Sequence, residues 1–373
     1  MVDAPAKTEP TRTGAALRRR QRLATALFRP VDGAGLAYFR IVFGLVLAWE
    51  GWRLLEGGWV DRYFVQPEFH FTYWPFDWLT PMPGASMRLL YLLLALAGLL
   101  MAAGLFYRLS VLFLAVGFTY TFLLDKTNYL NHMYLVCLLL LLCLFLPANR
   151  VWSLDARLRK PPTEQVPAWT IWLLRFQIGV PYVFGGIAKL NPDWMFRAEP
   201  LRTWLASDTD FPLIGRFFTD EPVVLAMNYG ALLLDLGVVF ALLNKRTRLF
   251  GYIAAVGFHL MNSRLFTLGI FPWLMIAATM IFFPPDWPRR VLEDLQLRRR
   301  PHVWLAGAGA GAGALVGAFL PPDVVPMQVA IGALGLGLIA YWGAEQCAGR
   351  AAAPANDTPP APPAGGRRQR LVL

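Results

Sequence analysis

Lys189 stands in YVFGGIAKLNPDW (residues 182–194), where a long apolar run meets two glycines and the chain then turns polar. An ammonium group at such a place has two readings. It reaches for water along its own methylene stem, or it is a buried amine kept neutral to accept a proton. Gly185 and Gly186, one turn earlier, bare the backbone to a neighbouring helix or a ligand. A second grouping is DKTNYLNHMYL (125–135), which separates two apolar runs. There Asp125 and Lys126 are placed to pair and Asn131 to cap the next helix. His132 falls in that helix's first turn, where the helix dipole favours a neutral imidazole. A third is FHLMNSRLF (258–266), in which His259 and Asn262 are three residues apart and share a helical face. An amine, two imidazoles and amides in an apolar setting suit proton abstraction from a weakly acidic, lipid-soluble molecule, and a quinol is a natural candidate.

Other chemistries lack their residues. No HExxH occurs and no Cys–His spacing fits zinc, so no metal is expected. Nucleophile elbow, phosphate loop and dinucleotide fingerprint are all missing. The three cysteines give no disulfide framework: Cys137 and Cys143 lie inside an apolar run and Cys347 lies past the last one.

The elements that must position these groups are membrane helices. Of 373 residues, 56% are hydrophobic and 16% charged, against about 25% charged in soluble domains. Ten apolar runs suit spans, near 34–55, 87–106, 109–124, 132–147, 167–188, 223–243, 248–264, 266–284, 303–320 and 324–343. Helices alone suit such runs, because a backbone in lipid must satisfy its own hydrogen bonds. The expected fold is an all-α polytopic membrane bundle of about eight core transmembrane helices plus two C-terminal ones.

The net charge of +11 reports topology here and not nucleic-acid binding. With the N-terminus inside, most Lys and Arg fall in the inside segments, which puts both termini in the cytoplasm. All three polar groupings then lie at the outer face, and this convergence implies a shared pocket open outward or to the outer leaflet. The division is a basic cytoplasmic segment (1–30), a core transmembrane domain (31–290), a small-residue-rich hairpin (301–346) and an Ala/Pro-rich disordered tail (347–373). The first segment is not a cleavable signal, since no small-residue cleavage site follows a short apolar core. Residues 56–86 and 190–222 are outer segments dense in aromatics, suited to interfacial helices or lids. GAGAGAGALVGAF (307–319) spaces glycines for close helix contact.

LLDKTNYLNHMYL, YVFGGIAKLNPDW, MNYGALLLDL and FHLMNSRLFTLGIFPWLM occur in that order. Together they resemble the membrane portion of vitamin K-dependent gamma-glutamyl carboxylase and its bacterial relatives, the horizontally transferred transmembrane (HTTM) domain proteins. The likeness covers roughly residues 30–290. It implies that a lysine, here Lys189, deprotonates a vitamin K-type hydroquinone, which reacts with dioxygen to give a strong base. That base removes a glutamate γ-proton, carbon dioxide adds, and gamma-carboxyglutamate and the epoxide result. It implies that Asn131 and His132 match an Asn-His pair, with His132 assisting at the glutamate. His259 and Asn262 would line the quinone pocket. The implied cofactor is reduced vitamin K or menaquinol, with O2 and CO2 as co-substrates. The implied partners are the lipid bilayer, the quinone and a Glu-containing secreted peptide or protein, in a bacterial plasma membrane. The animal enzyme continues into a large lumenal domain that grips a propeptide. This sequence continues instead into two small-residue-rich spans and a short tail, so no propeptide-docking domain is expected.

Overall fold

The computed structural model describes residues 12–158, 163–211, 213–266, 268–297, 309 and 325–351. Its helices are α1 (Arg12–Phe28), α2 (Ala34–Glu56), α3 (Gly84–Ala103), α4 (Tyr107–Leu123), α5 (Asn131–Cys143), α6 (Leu154–Arg157) and α7 (Ala168–Ala188). They continue as α8 (Leu201–Ser207), α9 (Glu221–Leu243), α10 (Arg248–Leu265), α11 (Phe271–Ala278), α12 (Trp287–Leu297) and α13 (Val325–Ala351). The expected bundle is therefore mostly helical. Four helices, α2, α3, α7 and α9, are long and apolar enough to cross a membrane, and the protein is a membrane protein. Two three-residue strands, β1 (Pro30–Asp32) and β2 (Gln165–Pro167), pair antiparallel with Val31 opposite Val166. They depart from an all-α fold and tie the start of α2 to the start of α7.

Helix packing follows the small residues. A Cβ at Gly98 would lie 2.6 Å from the Ala48 nitrogen, and one at Gly44 would lie 2.7 Å from the Ala102 nitrogen. The backbones of α2 and α3 therefore touch, which lipid-embedded helices achieve only through small side chains. Gly186 does the same between α7 and α9, where a Cβ would lie 2.6 Å from Leu236 Cδ2. Gly309, from the GAGAGAG run, lies against α13: a Cβ there would be 2.6 Å from the Leu336 carbonyl oxygen. The remainder of the expected span 303–320 lies outside the described residues. α13 itself packs on α10 and α11.

Two arginines that the sequence places inside spans serve helix ends. Arg40, fully buried, donates to the carbonyls of Ala102, Ala148, Val151 and Trp152. Arg175 donates to those of Ile281, Phe282 and Phe283. A guanidinium offers several donors in a fixed fork, so one side chain satisfies several carbonyls at once.

The Arg-rich segment 12–28, to which the sequence reading gave no secondary structure, is helical, as α1. The structure departs from the sequence reading at two elements. The run 266–284 is not one helix. α11 starts only at Phe271, with Pro272 in its first turn, and passes into a 3-10 helix at Thr279–Phe282. Proline is suited to a helix start, and Gly269 just before it takes φ +54°, which breaks the run. α5 ends at Cys143 and not near 147, because Pro147 disfavours helical backbone before it.

Candidate functional site

The local fold of Lys189 sets the direction its amine takes. It is the C-cap of α7, and side chains on a helix lean toward its N-terminus. Nζ accordingly folds back inward, donating to the Gly185 carbonyl at 3.4 Å and to Asp235 Oδ2 at 2.6 Å. It does not snorkel outward. Gly185 makes room: a Cβ there would lie 3.2 Å from Asp235 Oδ2. Asp235 lies on α9 and is 4% exposed. Trp194 roofs the pair, with Nζ 5.0 Å from its ring centroid. Trp194 is fixed to α9 by two bonds: its indole Nε1 donates to the Asn228 carbonyl, and Asn228 Nδ2 donates to the Trp194 backbone carbonyl. The segment carrying Trp194 forms a second apolar cluster with the start of α9, including Leu201, Leu205, Phe218 and Val224.

Two turns before Lys189, Tyr182 points from α7 toward α10. Its hydroxyl lies 2.7 Å from His259 Nε2 and 3.3 Å from Thr279 Oγ1, and Thr279 Oγ1 donates to the Met275 carbonyl at 2.6 Å. Tyr182 is also within electrostatic range of Asp235. His259 is buried, and its Nδ1 has no hydrogen-bond partner. His132, in the first turn of α5 as expected, is buried as well. Its ring stacks on Phe271, with centroids 5.6 Å apart and planes at 28°. The same Phe271 meets His259 edge-on at 5.8 Å and 87°. Phe271 therefore stands between the two imidazoles. Behind His132 lies Arg53, held in a two-bond pair by Glu50 (2.9 Å each) on α2.

The sequence-expected residues divide. Lys189, His132 and His259 belong to one neighbourhood. Asn131 does not: it is exposed, makes no cap bond and accepts from the Tyr129 hydroxyl at 2.9 Å. It is the first residue of α5 and not its cap, because Leu130 before it occupies the N-cap position. Asn262 is half-buried, and its side chain makes no hydrogen bond among the described residues. Asp125 does not pair with Lys126. It binds His70 Nδ1 at 3.2 Å and the amide and hydroxyl of Thr127, while Lys126 lies over the Tyr73 ring at 5.7 Å. Burial alone would raise Asp125, but the bonds from Thr127, His70 and the Phe71 backbone outweigh it and hold the carboxyl below its usual range. These contacts, with the Lys126 amide donating to the Phe71 carbonyl at 2.7 Å, latch the aromatic segment after α2 onto the α4–α5 connection.

Sequence reasoning passed over Asp235, Tyr182, Thr279, His70 and the Glu50–Arg53 pair. A lone acid inside an apolar span is itself a signal of function or pairing, so Asp235 was findable. Tyr182 and Thr279 carry no such mark. Among the described residues, no group of three or more His, Cys, Asp or Glu could hold a metal ion.

A helical membrane protein that holds an inward-turned amine–carboxylate pair and, by way of Tyr182, two imidazoles flanking one aromatic ring is the class that this fold and site define. The chain belongs to the HTTM domain family, whose profile matches residues 28–287, and is thereby related to the vitamin K-dependent carboxylase family. No solved structure matches it.

Proposed function

We propose that this protein is a membrane enzyme of the vitamin K-dependent carboxylase type, which oxidises a vitamin K or menaquinone-type hydroquinone with O2 and uses the base so formed to carboxylate glutamate. One observation carries the reading: Lys189 turns inward to Asp235, beside Tyr182 and His259, instead of outward to water. A lipid-soluble aromatic diol fits these surroundings. The walls are apolar and aromatic, Phe271 already shows that a ring can stand between His132 and His259, and a buried nitrogen of His259 lacks a partner.

The hydroquinone, when bound, supplies with dioxygen a base stronger than any side chain offers. The chain's own residues do the rest. Lys189 Nζ takes the proton of a ring hydroxyl. Asp235 Oδ2, 2.6 Å away, holds the amine in place and first takes the ammonium proton from it, so that Nζ is neutral when it accepts the hydroxyl proton. Trp194 and the cluster beneath it exclude solvent, which would quench a strong base. His132, on the other side of Phe271 from His259, is assigned to the glutamate. In this reading the chain spans a bacterial plasma membrane with both termini cytoplasmic, eight core spans and two more, and the site at the outer face.

A second reading, hydroquinone epoxidation without glutamate carboxylation, is supported by the uneven division of the site. Lys189, Asp235, Tyr182 and His259 form one linked group, whereas only His132 serves the glutamate. One experiment tests both. Protein in nanodiscs is given reduced vitamin K or menaquinol, oxygen, labelled bicarbonate and a short Glu peptide. Epoxide from wild type and none from Lys189→Ala is expected. Label in the peptide separates the first reading from the second. Equal epoxide from both proteins would sink the base role of Lys189.

A further inference from the structure

The hydrogens around Tyr182 can be placed by counting donors. Thr279 Oγ1 has one hydrogen and spends it on the Met275 carbonyl at 2.6 Å. Where Tyr182 Oη meets Thr279 Oγ1, 3.3 Å away, the tyrosine must therefore be the donor. Its single hydrogen then being used, Tyr182 Oη must accept at its 2.7 Å contact with His259 Nε2. His259 thus carries its proton on Nε2. Three hydrogens make three bonds, running from His259 to Tyr182 to Thr279 to the Met275 carbonyl.

The competing arrangement reverses the first bond, with the tyrosine donating to Nε2. A phenol-to-imidazole bond is strong by itself. It leaves the Tyr182–Thr279 contact unbonded, however, and moves the imidazole proton to Nδ1, where it has no acceptor. A buried N–H without a partner is rarer and costlier than an acceptor with a free lone pair. A cationic ring would carry the same orphan proton plus a buried charge. The three-bond arrangement is the one that leaves no donor unsatisfied.

What remains is Nδ1, a bare lone pair on a side chain that is 1% exposed, with Phe271 and Phe258 against its ring. We infer that His259, held by Tyr182 and Thr279, presents Nδ1 as a hydrogen-bond acceptor for a ring hydroxyl, so that the site selects the reduced form of a quinone over the oxidised form. This rests on the quinol reading above. A hydroquinone hydroxyl donates to Nδ1, whereas a quinone carbonyl would set lone pair against lone pair. His259 is thereby a specificity-determining residue, and Tyr182 and Thr279 are positioning residues that act through its tautomer. Such an arrangement also favours release of product, because an oxidised ring that no longer carries the hydroxyl loses the bond.

The test has two readouts. Protein labelled with 15N-histidine, with His259 assigned by a His259→Gln variant, should show Nε2 protonated and Nδ1 bare. In nanodiscs under argon, a hydroquinone should bind about tenfold more tightly than its quinone and its dimethyl ether, the size of one hydrogen bond to a buried acceptor. Thr279→Val, nearly isosteric, takes away the tyrosine's acceptor. The tyrosine then donates to Nε2, the resonance should move to Nδ1–H, and the preference should fall to parity or reverse. A proton on Nδ1 in the wild type, or equal binding of both redox forms, overturns the inference while the quinol reading stands. Selective binding of hydroquinone with no epoxide formed does the opposite.

Discussion

The Lys189–Asp235 pair can be taken apart one residue at a time. At 2.6 Å, two unit charges in an effective dielectric of about 20 attract by roughly 6 kcal/mol. Removing both groups from water offsets most of that, so the intact pair contributes little net stability while either group left alone is costly. Asp235 is the deeper of the two, with its side chain 6% exposed against 19% for Lys189. Lys189→Met should therefore destabilise by about 3–5 kcal/mol, and Asp235→Leu by less, since the freed amine can swing outward along its stem. The double variant should recover to within about 1–2 kcal/mol of wild type, because well-packed apolar replacements of a buried pair are often neutral. Reversible SDS titration in mixed micelles, followed by tryptophan fluorescence, measures the cycle. Epoxide formation, followed by chromatography, should be lost in all three. Additive single losses would refute the pairing, and epoxide from a folded Lys189→Met would refute the base role even if the pairing held.

Gly98→Val should separate α2 from α3, since its new Cβ would lie 2.6 Å from backbone and not from a movable side chain; a loss of at least ~1–3 kcal/mol should show as a lower unfolding temperature. Gly186→Val meets the flexible end of Leu236, so it should cost less stability yet still displace Asp235 and lower the epoxidation rate. The His70–Asp125 latch should depend on pH with a fixed sign. Asp125 is held below its ordinary 3.8 in the folded protein, so its stabilisation is complete above that value and lost as pH falls below it. Hydrogen exchange of residues 66–80, corrected for intrinsic rates, should rise in acid for wild type and be high at every pH in Asp125→Asn.

How much of this was legible depended on whether a residue's chemistry contrasts with its neighbours. Lys189, His132 and His259 are polar groups set against apolar runs, and their grouping at one end of the helices could be read from span alternation alone. The spans themselves were legible wherever apolar runs exceeded a helix's crossing length, and were misjudged where a local break ruled. In 266–284, Gly269 and Pro272 end the run that hydropathy alone joins. Asn131 was misread because capping depends on backbone angle at one residue, and that residue is Leu130.

The partners were harder than the residues, for a reason that bears on function. Lys189 is 46 positions from Asp235, and Tyr182 is 77 from His259 and 97 from Thr279. No spacing rule connects them; the packing of α7 on α9 and on the 3-10 helix at Thr279–Phe282, with the Tyr182–His259 bond, does. The α9 contact depends in turn on Gly185 and Gly186, where the sequence did signal a close approach without naming what approaches. The glycines bring α9 near enough for Asp235 to reach the amine, and the reach draws Nζ inward, away from water. The same helix face carries Tyr182 two turns below, where it meets His259 and Thr279, so in the proposed function one face of α7 holds both the amine that takes a proton and the hydroxyl that fixes the imidazole. A substitution at Gly186 should therefore disturb two functions at once, the rate of epoxide formation and the preference for the reduced ring. A change at Thr279 should alter the preference and leave Lys189 in place.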